Sequence, residues 1–416
     1  MATMTPSAAA LEAALQQAML HQQAGRLSEA ERVYRDILRV LPDHPGINNN
    51  LGLALKDQGR LDEAAATFQR VLARKPGDPL AQCNLGNVLR LQGRLDEAAA
   101  CFRRAIVIKP DMALAHQNLG TTLCEGGDLD AGLAAFRHHA ELAFGTGQVR
   151  AVGPVAPHKA RHDQEQRDYL GESAVVDAVS SDVFHLESCD RLSGRAVNPD
   201  TSAGDIAARW RSGTPQLVVI DDLLTETALE RLRRFCWGST IWRKVYADGY
   251  LGALPEYGFA CPLLAQISEE LRGTYPEILE QYKLLQFWGF KYDSTLSGIK
   301  MHADFAAVNV NFWITADEAN LDPERGGLVI WDVPAPLDWD FAKYNDSPQL
   351  ARDFLAQSGA RPVSVPHRAN RAVIFDSDLF HETDRISFKE GYRNRRINIT
   401  LLYGRREEAK KPVGRG

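Results

Sequence analysis

A 34-residue period governs the first third of the chain. Glycine recurs at 25, 59, 93 and 127, a ring at Tyr34, Phe68, Phe102 and Phe136, and proline at 42, 76 and 110. The tripeptide Asn-Leu-Gly recurs at 50–52, 84–86 and 118–120. A unit of this length holds two antiparallel helices and cannot bury its apolar face alone. Neighbouring units must stack, so the pattern dictates an all-α solenoid with one continuous core. Small residues such as Gly52, Ala64, Gly86 and Ala98 let paired helices approach, and the recurrent rings fill the space between repeats. Phe144 stands where the next proline would fall and closes the array, which covers residues 8–143.

The period and its residues resemble the tetratricopeptide (TPR) repeat. The solenoid carries no convergent acid, base or metal cluster, so its expected role is binding or scaffolding. Asn50, Asn84 and Asn118 resemble the asparagine ladder on the concave face of the O-GlcNAc transferase repeats. That likeness implies a protein or peptide partner whose extended backbone the amides bond, since an Asn amide both donates and accepts. The other reading is that these amides bond within the solenoid or only satisfy the repeat pattern.

The rest of the chain changes character. Residues 144–165 are rich in Gly, Pro and charge and read as a linker in which His158 and His162 are solvated. Residues 166–214 are expected to be irregular, with a helix near Tyr169–Ala178. From Pro215 the pattern is β-rich. Strands are expected at Pro215–Ile220, Leu285–Tyr292, Asn309–Thr315, Leu328–Trp331, Arg371–Phe375 and Arg396–Tyr403. Helices are expected at Thr225–Phe235 and about Leu263–Gln281. Many short strands with turn residues between them point to a jelly roll over residues 215–405.

One constellation in that region carries chemistry. An acid follows a His by two places at His139/Glu141, His185/Glu187 and His302/Asp304. The first pair sits on a repeat helix and the second in an irregular stretch; only His302 and Asp304 stand beside strands. A second His follows at 381 and an Arg at 396. Two imidazoles and a carboxylate are the donor set that holds non-haem Fe(II) with positions left open. On the last strand Arg396, Asn398 and Thr400 share one face, and Ile397, Ile399, Leu401 and Tyr403 the other. A polar face inside a roll is costly unless it lines a ligand site. Arg395 would extend the apolar face and is the poorer anchor.

These residues resemble the iron(II)/2-oxoglutarate-dependent oxygenases of the prolyl-hydroxylase type. The resemblance implies a double-stranded β-helix with His302, Asp304 and His381 as ligands of Fe(II). It implies Arg396 gripping the distal carboxylate of the cosubstrate 2-oxoglutarate, helped by Tyr292 and Thr400. Asn311, from its strand parity, is placed to touch the metal-proximal carboxylate. Dioxygen would be the oxidant and ascorbate an accessory reductant. Hydroxylation of a protein or peptide side chain recruited by the repeats is the expected activity. Two alternatives stay open: oxidation of a small metabolite with the repeats used for assembly, or a TPR interaction protein without catalysis.

The insertion between Trp331 and Arg371 contains a helix opening at Ser347-Pro348 and stopping near Gly359. Its rings Trp339, Phe341 and Tyr344 would either line a substrate wall or bury the insertion itself. His367 reads as a loop residue, and residues 406–416 as a disordered tail. A net charge of −6 argues against bulk capture of nucleic acid. No apolar run reaches the length of a membrane span. The start of the chain lacks a secretory signal, and six Cys (83, 101, 124, 189, 236 and 261) have neither metal nor redox spacing. Reduced thiols in a cytoplasmic protein are therefore expected. Oligomeric state is not legible.

Overall fold

The computed structural model describes residues 7–145, 155–172, 184–293, 298–339, 341–345 and 347–406. It divides into two compact units, Met1–Ala135 and Phe136–Gly416, with the division falling inside a helix.

The first unit is helical. Its elements are α1 (Ala8–Gln23), α2 (Leu27–Val40), α3 (Pro45–Asp57), α4 (Leu61–Arg74), α5 (Pro79–Leu91), α6 (Leu95–Ile108), α7 (Ala113–Gly126) and α8 (Leu129–Phe144), which crosses into the second unit. The recurrent glycines end the first helix of each pair, with φ of +73, +75, +76 and +97° at 25, 59, 93 and 127. In that left-handed turn the next N–H reaches back to a helix carbonyl at the same 2.9 Å in every repeat: Arg26 to His21, Arg60 to Leu55, Arg94 to Leu89 and Asp128 to Leu123. The paired carbonyls would otherwise be orphans of the helix end. Tyr34, Phe68 and Phe102 are wholly buried.

Gly52 and Gly86 lie within helix pairs. A Cβ at Gly52 would stand 2.7 Å from the Phe68 ring, and one at Gly86 2.8 Å from the Phe102 ring. The glycine of the first helix therefore receives the ring of the second.

In the second unit the elements are α9 (Pro157–Glu172), α10 (Ala203–Ser212), β1 (Leu217–Ile220), α11 (Glu226–Gly238), β2 (Lys244–Val245), β3 (Tyr250–Ala253), α12 (Pro262–Thr274), α13 (Pro276–Leu279), β4 (Leu284–Tyr292), β5 (Val308–Trp313), β6 (Leu328–Pro334), α14 (Phe341–Asn345), α15 (Pro348–Gln357), β7 (Pro362–Val365), β8 (Ala372–Asp376), β9 (Leu379–Thr383) and β10 (Ile397–Tyr403). Among the described residues, a seven-stranded sheet runs β1-β8-β5-β10-β4-β3-β2 and a three-stranded sheet β7-β6-β9. All the pairings are antiparallel. His302 bonds reciprocally with His381, N–H to carbonyl at 3.0 and 2.8 Å, and so extends the smaller sheet beyond β9.

Strand β10 lies between β5 and β4 and is buried throughout. Its outer face carries Ile397, Ile399, Leu401 and Tyr403, and the Tyr403 hydroxyl bonds Ser268 on α12 at 2.9 Å. The helix expected at Leu263–Gln281 is broken at Tyr275-Pro276 into α12 and α13, since a proline has no N–H to continue the ladder.

Three expectations need correcting. Residues 157–165 are not linker: Pro157 opens α9, a position where its missing N–H is no loss. His158 and His162 are accordingly buried, and the His162 ring packs on Tyr392 with centroids 5.5 Å apart. Gln166 and Glu165 tie the helix down, to the Ser239 carbonyl at 2.9 Å and to Arg395 at 2.7 Å. Arg406 is not part of a loose tail. It is buried, and its guanidinium bonds Asp378 and the Ala335 and Pro336 carbonyls. Residues 173–178 of the helix expected near Tyr169, and 407–416, lie outside the described residues. No described helix is long and apolar enough to cross a membrane.

Replacing Gly52 by Val forces a side chain into the Phe68 ring. The expected loss is about 1–3 kcal/mol of unfolding free energy, read by urea denaturation followed by circular dichroism. Gly77→Ala, with open space around the new carbon, should leave the curve nearly unmoved.

Candidate functional site

The site is built where the inner faces of the two sheets meet. His302 and His381 are neighbours through the backbone pairing just described, and their ring centroids are 4.2 Å apart. Each ring is oriented from behind. Nδ1–H of His302 donates to the Lys300 carbonyl at 2.9 Å, and Nδ1–H of His381 to the Leu379 carbonyl at 3.0 Å. With Nδ1–H engaged behind, each ring turns its Nε2 forward. Asp304, whose N–H bonds the Ser377 carbonyl at 3.1 Å, brings its carboxylate to the same point. Oδ1 lies 4.0 Å from His302 Nε2, and Oδ2 3.4 Å from His381 Nε2.

Burial, and then the neighbouring His381, push the His302 imidazole down to about 4, so it is neutral at pH 7. Burial raises the Asp304 carboxyl, but the two imidazoles and an amide from Asn309 outweigh it and hold the acid below its usual range. One ligand atom from each of the three residues lies within 4.8 Å of the others. Two imidazole Nε2 atoms and a carboxylate thus converge on one point. Donors around one divalent ion at bonds of 2.0–2.2 Å stand about 3–4 Å apart. The residues present fit a metal ion.

The polar face of β10 continues the site. Arg396 is 1% exposed. Its Nε donates to the Gly326 carbonyl at 2.6 Å, Nη2 to the Gly327 carbonyl at 3.1 Å and Nη1 to Asn398 Oδ1 at 3.1 Å. No carboxylate pairs with it among the described residues. Burial lowers its pKa, with Tyr292 acting the other way, and a guanidinium stays charged regardless. The cation lies 4.5 Å from the Tyr292 ring centre and 5.7 Å from that of Trp313. The Gly326-Gly327 turn can hold it only as glycine at 327, because a Cβ there would collide with the Val365 carbonyl.

The other residues singled out from the sequence are adjacent. Tyr292, wholly buried, is 3.4 Å from Thr383 Oγ1 through its hydroxyl, and burial raises its pKa against the pull of Arg396. Thr400 accepts the Asn311 amide at 2.9 Å, and the Asn311 Oδ1 is buried without a partner among the described residues. A small cavity is lined by Tyr292, His302, Asp304, Asn311, His381 and Thr400. Asn309, Asn398 and Trp288 line it too and were missed as site residues. The signal was present: Asn309 shares the Asn311 face of β5, and Asn398 lies between Arg396 and Thr400.

The insertion turns its rings to its own core. Tyr344 is buried with Met301, Ala303, Ala335, Ala351, Leu355 and Phe380, and Trp339 packs on Phe354 and Phe380. The Phe341 side chain lies outside the described residues. The insertion therefore backs the segment that carries His302 and Asp304. His367 lies in a loop, as expected, but it is buried there. It is 4% exposed, neither ring nitrogen has a hydrogen bond, and Trp313 and Phe388 flank it.

In the solenoid the three ladder amides differ. Asn84 Nδ2 donates to Asn49 of the preceding repeat at 2.8 Å, so it is engaged within the array. Asn50 acts on the Tyr34 hydroxyl. Asn118 Nδ2 has no partner among the described residues.

The tetratricopeptide repeat family matches over residues 15–79, 57–113 and 83–143. Residues 15–143 are tetratricopeptide repeats. Solved structures similar to the chain include MamA from Desulfovibrio magneticus RS-1, at 21% identity over 34% of this chain and 78% of that one, TM-score 0.31. An O-GlcNAc transferase mutant from Thermobaculum terrenum is 28% identical over 38% of this chain and 30% of that one, TM-score 0.33. YrrB, described as a TPR protein with an unusual peptide-binding site, is 22% identical over 32% and 69%, TM-score 0.29. No curated protein matches the chain.

His367 generates a pH dependence. Burial, then the charges of Arg396 and Arg371, push it down to about 3. Below about pH 6.5 the unfolded chain takes up a proton that the folded chain refuses until about pH 3, so stability falls across that window as pH falls. Urea midpoints should therefore drop more steeply with acid in the wild type than in His367→Phe, by on the order of a few kcal/mol over the window. Parallel profiles would contradict it.

Proposed function

We propose that residues 215–405 are an iron(II)- and 2-oxoglutarate-dependent oxygenase, and that the tetratricopeptide repeats recruit its protein or peptide substrate. One observation carries the reading: the His302, Asp304 and His381 ligand atoms converge in the same cavity as Tyr292 and Thr400, beside a buried Arg396 that no carboxylate among the described residues hydrogen-bonds. The topology supports a double-stranded β-helix. The chain passes from β4 in the larger sheet to the His302 segment in the smaller. It returns to β5, crosses to β6 and β7, returns to β8, crosses to β9 and ends in β10. Apart from the β6–β7 hairpin, the chain thus passes back and forth between the two sheets, which is how ligands far apart in sequence reach one mouth.

In this reading His302, His381 and Asp304 hold Fe(II), and Arg396, Tyr292 and Thr400 hold the far carboxylate of 2-oxoglutarate. Iron held this way supplies oxidation by dioxygen, in which the cosubstrate becomes succinate and carbon dioxide and a substrate C–H becomes C–OH. The chain's own part is positional. The Lys300 and Leu379 carbonyls keep both imidazoles in the Nε2-bare tautomer. The Gly326 and Gly327 carbonyls, with Asn398, fix the guanidinium so that it meets a carboxylate without reorganising. Aromatic rings of β4 exclude water from that end. Ascorbate would serve as an accessory reductant.

A second reading is favoured by the family match, which is confined to the repeats: a tetratricopeptide interaction protein whose second unit does no chemistry. One experiment separates them. Anaerobic Fe(II) plus 2-oxoglutarate should give a weak visible charge-transfer band with the full chain. His381→Ala should abolish it, and Arg396→Leu should weaken the cosubstrate's apparent affinity about 10–100-fold. Iron bound without any band on adding 2-oxoglutarate would favour the interaction protein. Incubation with cell extract, followed by mass spectrometry for one added oxygen, then separates peptide from metabolite substrates.

A further inference from the structure

Asn309 sits in the middle of the larger sheet, opposite Leu402 of β10 on one side and Phe375 of β8 on the other. It is 0% exposed. A primary amide at such a place is costly unless both ends are used. One end is used on the candidate site: Nδ2 donates to Oδ2 of Asp304 at 2.6 Å. The direction of that bond is fixed, because a carboxylate only accepts. The other end, Oδ1, faces no partner among the described residues.

A carboxylate on a flexible side chain can offer a cation one oxygen or both, and rotation about its last bond interconverts them. The amide removes that freedom. With Oδ2 held by a group that the sheet itself immobilises, Oδ1 is the oxygen left unbonded, 4.0 Å from His302 Nε2. We propose that Asn309 is a positioning residue for the metal site, locking the rotation of Asp304 so that one carboxylate oxygen meets the ion and neighbouring positions stay open. The inference rests on the reading of His302, Asp304 and His381 as ligands. It goes further by assigning a role to a residue outside the triad, and its readout needs no turnover.

The probe is Co(II), whose visible spectrum reports ligand number and geometry. Affinity is measured on the full chain by competition with a chromophoric chelator. Asn309→Ala removes the donor without adding a charge; Asn309→Leu keeps the bulk and removes both ends. Both should bind Co(II) about 10–100-fold more weakly than wild type, the usual effect of losing a partner that orients a ligand. Both should also show an altered Co(II) spectrum, while the metal-free chain keeps its circular dichroism. Wild-type affinity with an unchanged spectrum in Asn309→Ala would overturn the proposal, even if Asn309→Leu failed to fold. Absence of Co(II) binding by the wild type would overturn the metal reading itself, and that control is read first.

Discussion

Everything at the candidate site depends on one short piece of backbone pairing. His302 and His381 exchange N–H and carbonyl at 3.0 and 2.8 Å, and a reciprocal pair of this kind fixes both Cα positions at once. The two rings then have little choice. They leave the same sheet on the same face, and each is turned by a carbonyl two residues before it in the chain, Lys300 for one and Leu379 for the other. Asp304 is two residues on from His302, which returns it to that face by the period of an extended chain. The donor set thus follows from register, and a slip of one residue would send a ring out of the cavity.

A second constraint is that this cavity is polar while everything around it is not. The facing surfaces of the sheets hold an apolar floor of Trp313, Leu328, Ile330, Val365, Val373, Phe375 and Leu379. Beside it stand Arg396, Asn398, Thr400, Asn309 and Asn311, all buried. A guanidinium in such a place carries a desolvation penalty that backbone carbonyls offset only in part. The fold tolerates it through the Gly326-Gly327 turn and the two flanking rings. That tolerance makes sense if the cation has an anionic partner that is not part of the chain, which is the physical content of the cosubstrate proposal.

The sequence made some of this legible and hid the rest for definite reasons. The repeats were readable because a 34-residue period leaves few architectures open, down to the glycine that ends each first helix. Strands β5 and β10 were readable because buried strands with one polar face alternate strictly. β9 was not recognised as a strand, because its five residues are held by pairing with β6 and His302 rather than by their own pattern. His162 and Lys291 were hidden for a related reason. Local composition marks residues 144–165 as solvent-facing, yet α9 buries His162 beside Tyr392, and the Lys291 ammonium sits 3.4 Å from the same ring. Tertiary packing, absent from any window of sequence, reverses the reading. Asn309 is hidden in the sequence because strand parity puts it on the Asn311 face, while only the fold brings its amide against Asp304.

The burial of the three candidate ligands is unequal, and the inequality sets a direction of approach. The side chain of His381 is 4% exposed, that of Asp304 11% and that of His302 18%. On the far side His381 is closed off by Phe375, whose ring stands edge-on 5.0 Å away, and by the apolar floor beneath it. A molecule reaching the three residues must therefore arrive past His302 and Asp304. Phe305 follows Asp304 directly and is 45% exposed, in a unit whose rings are otherwise mostly buried. In the proposed reading, an exposed ring next in sequence to a candidate ligand would suit a partner that presents a side chain rather than a small, fully charged metabolite. The same geometry that leaves room for an ion thus bears on which of the two substrate classes can reach it.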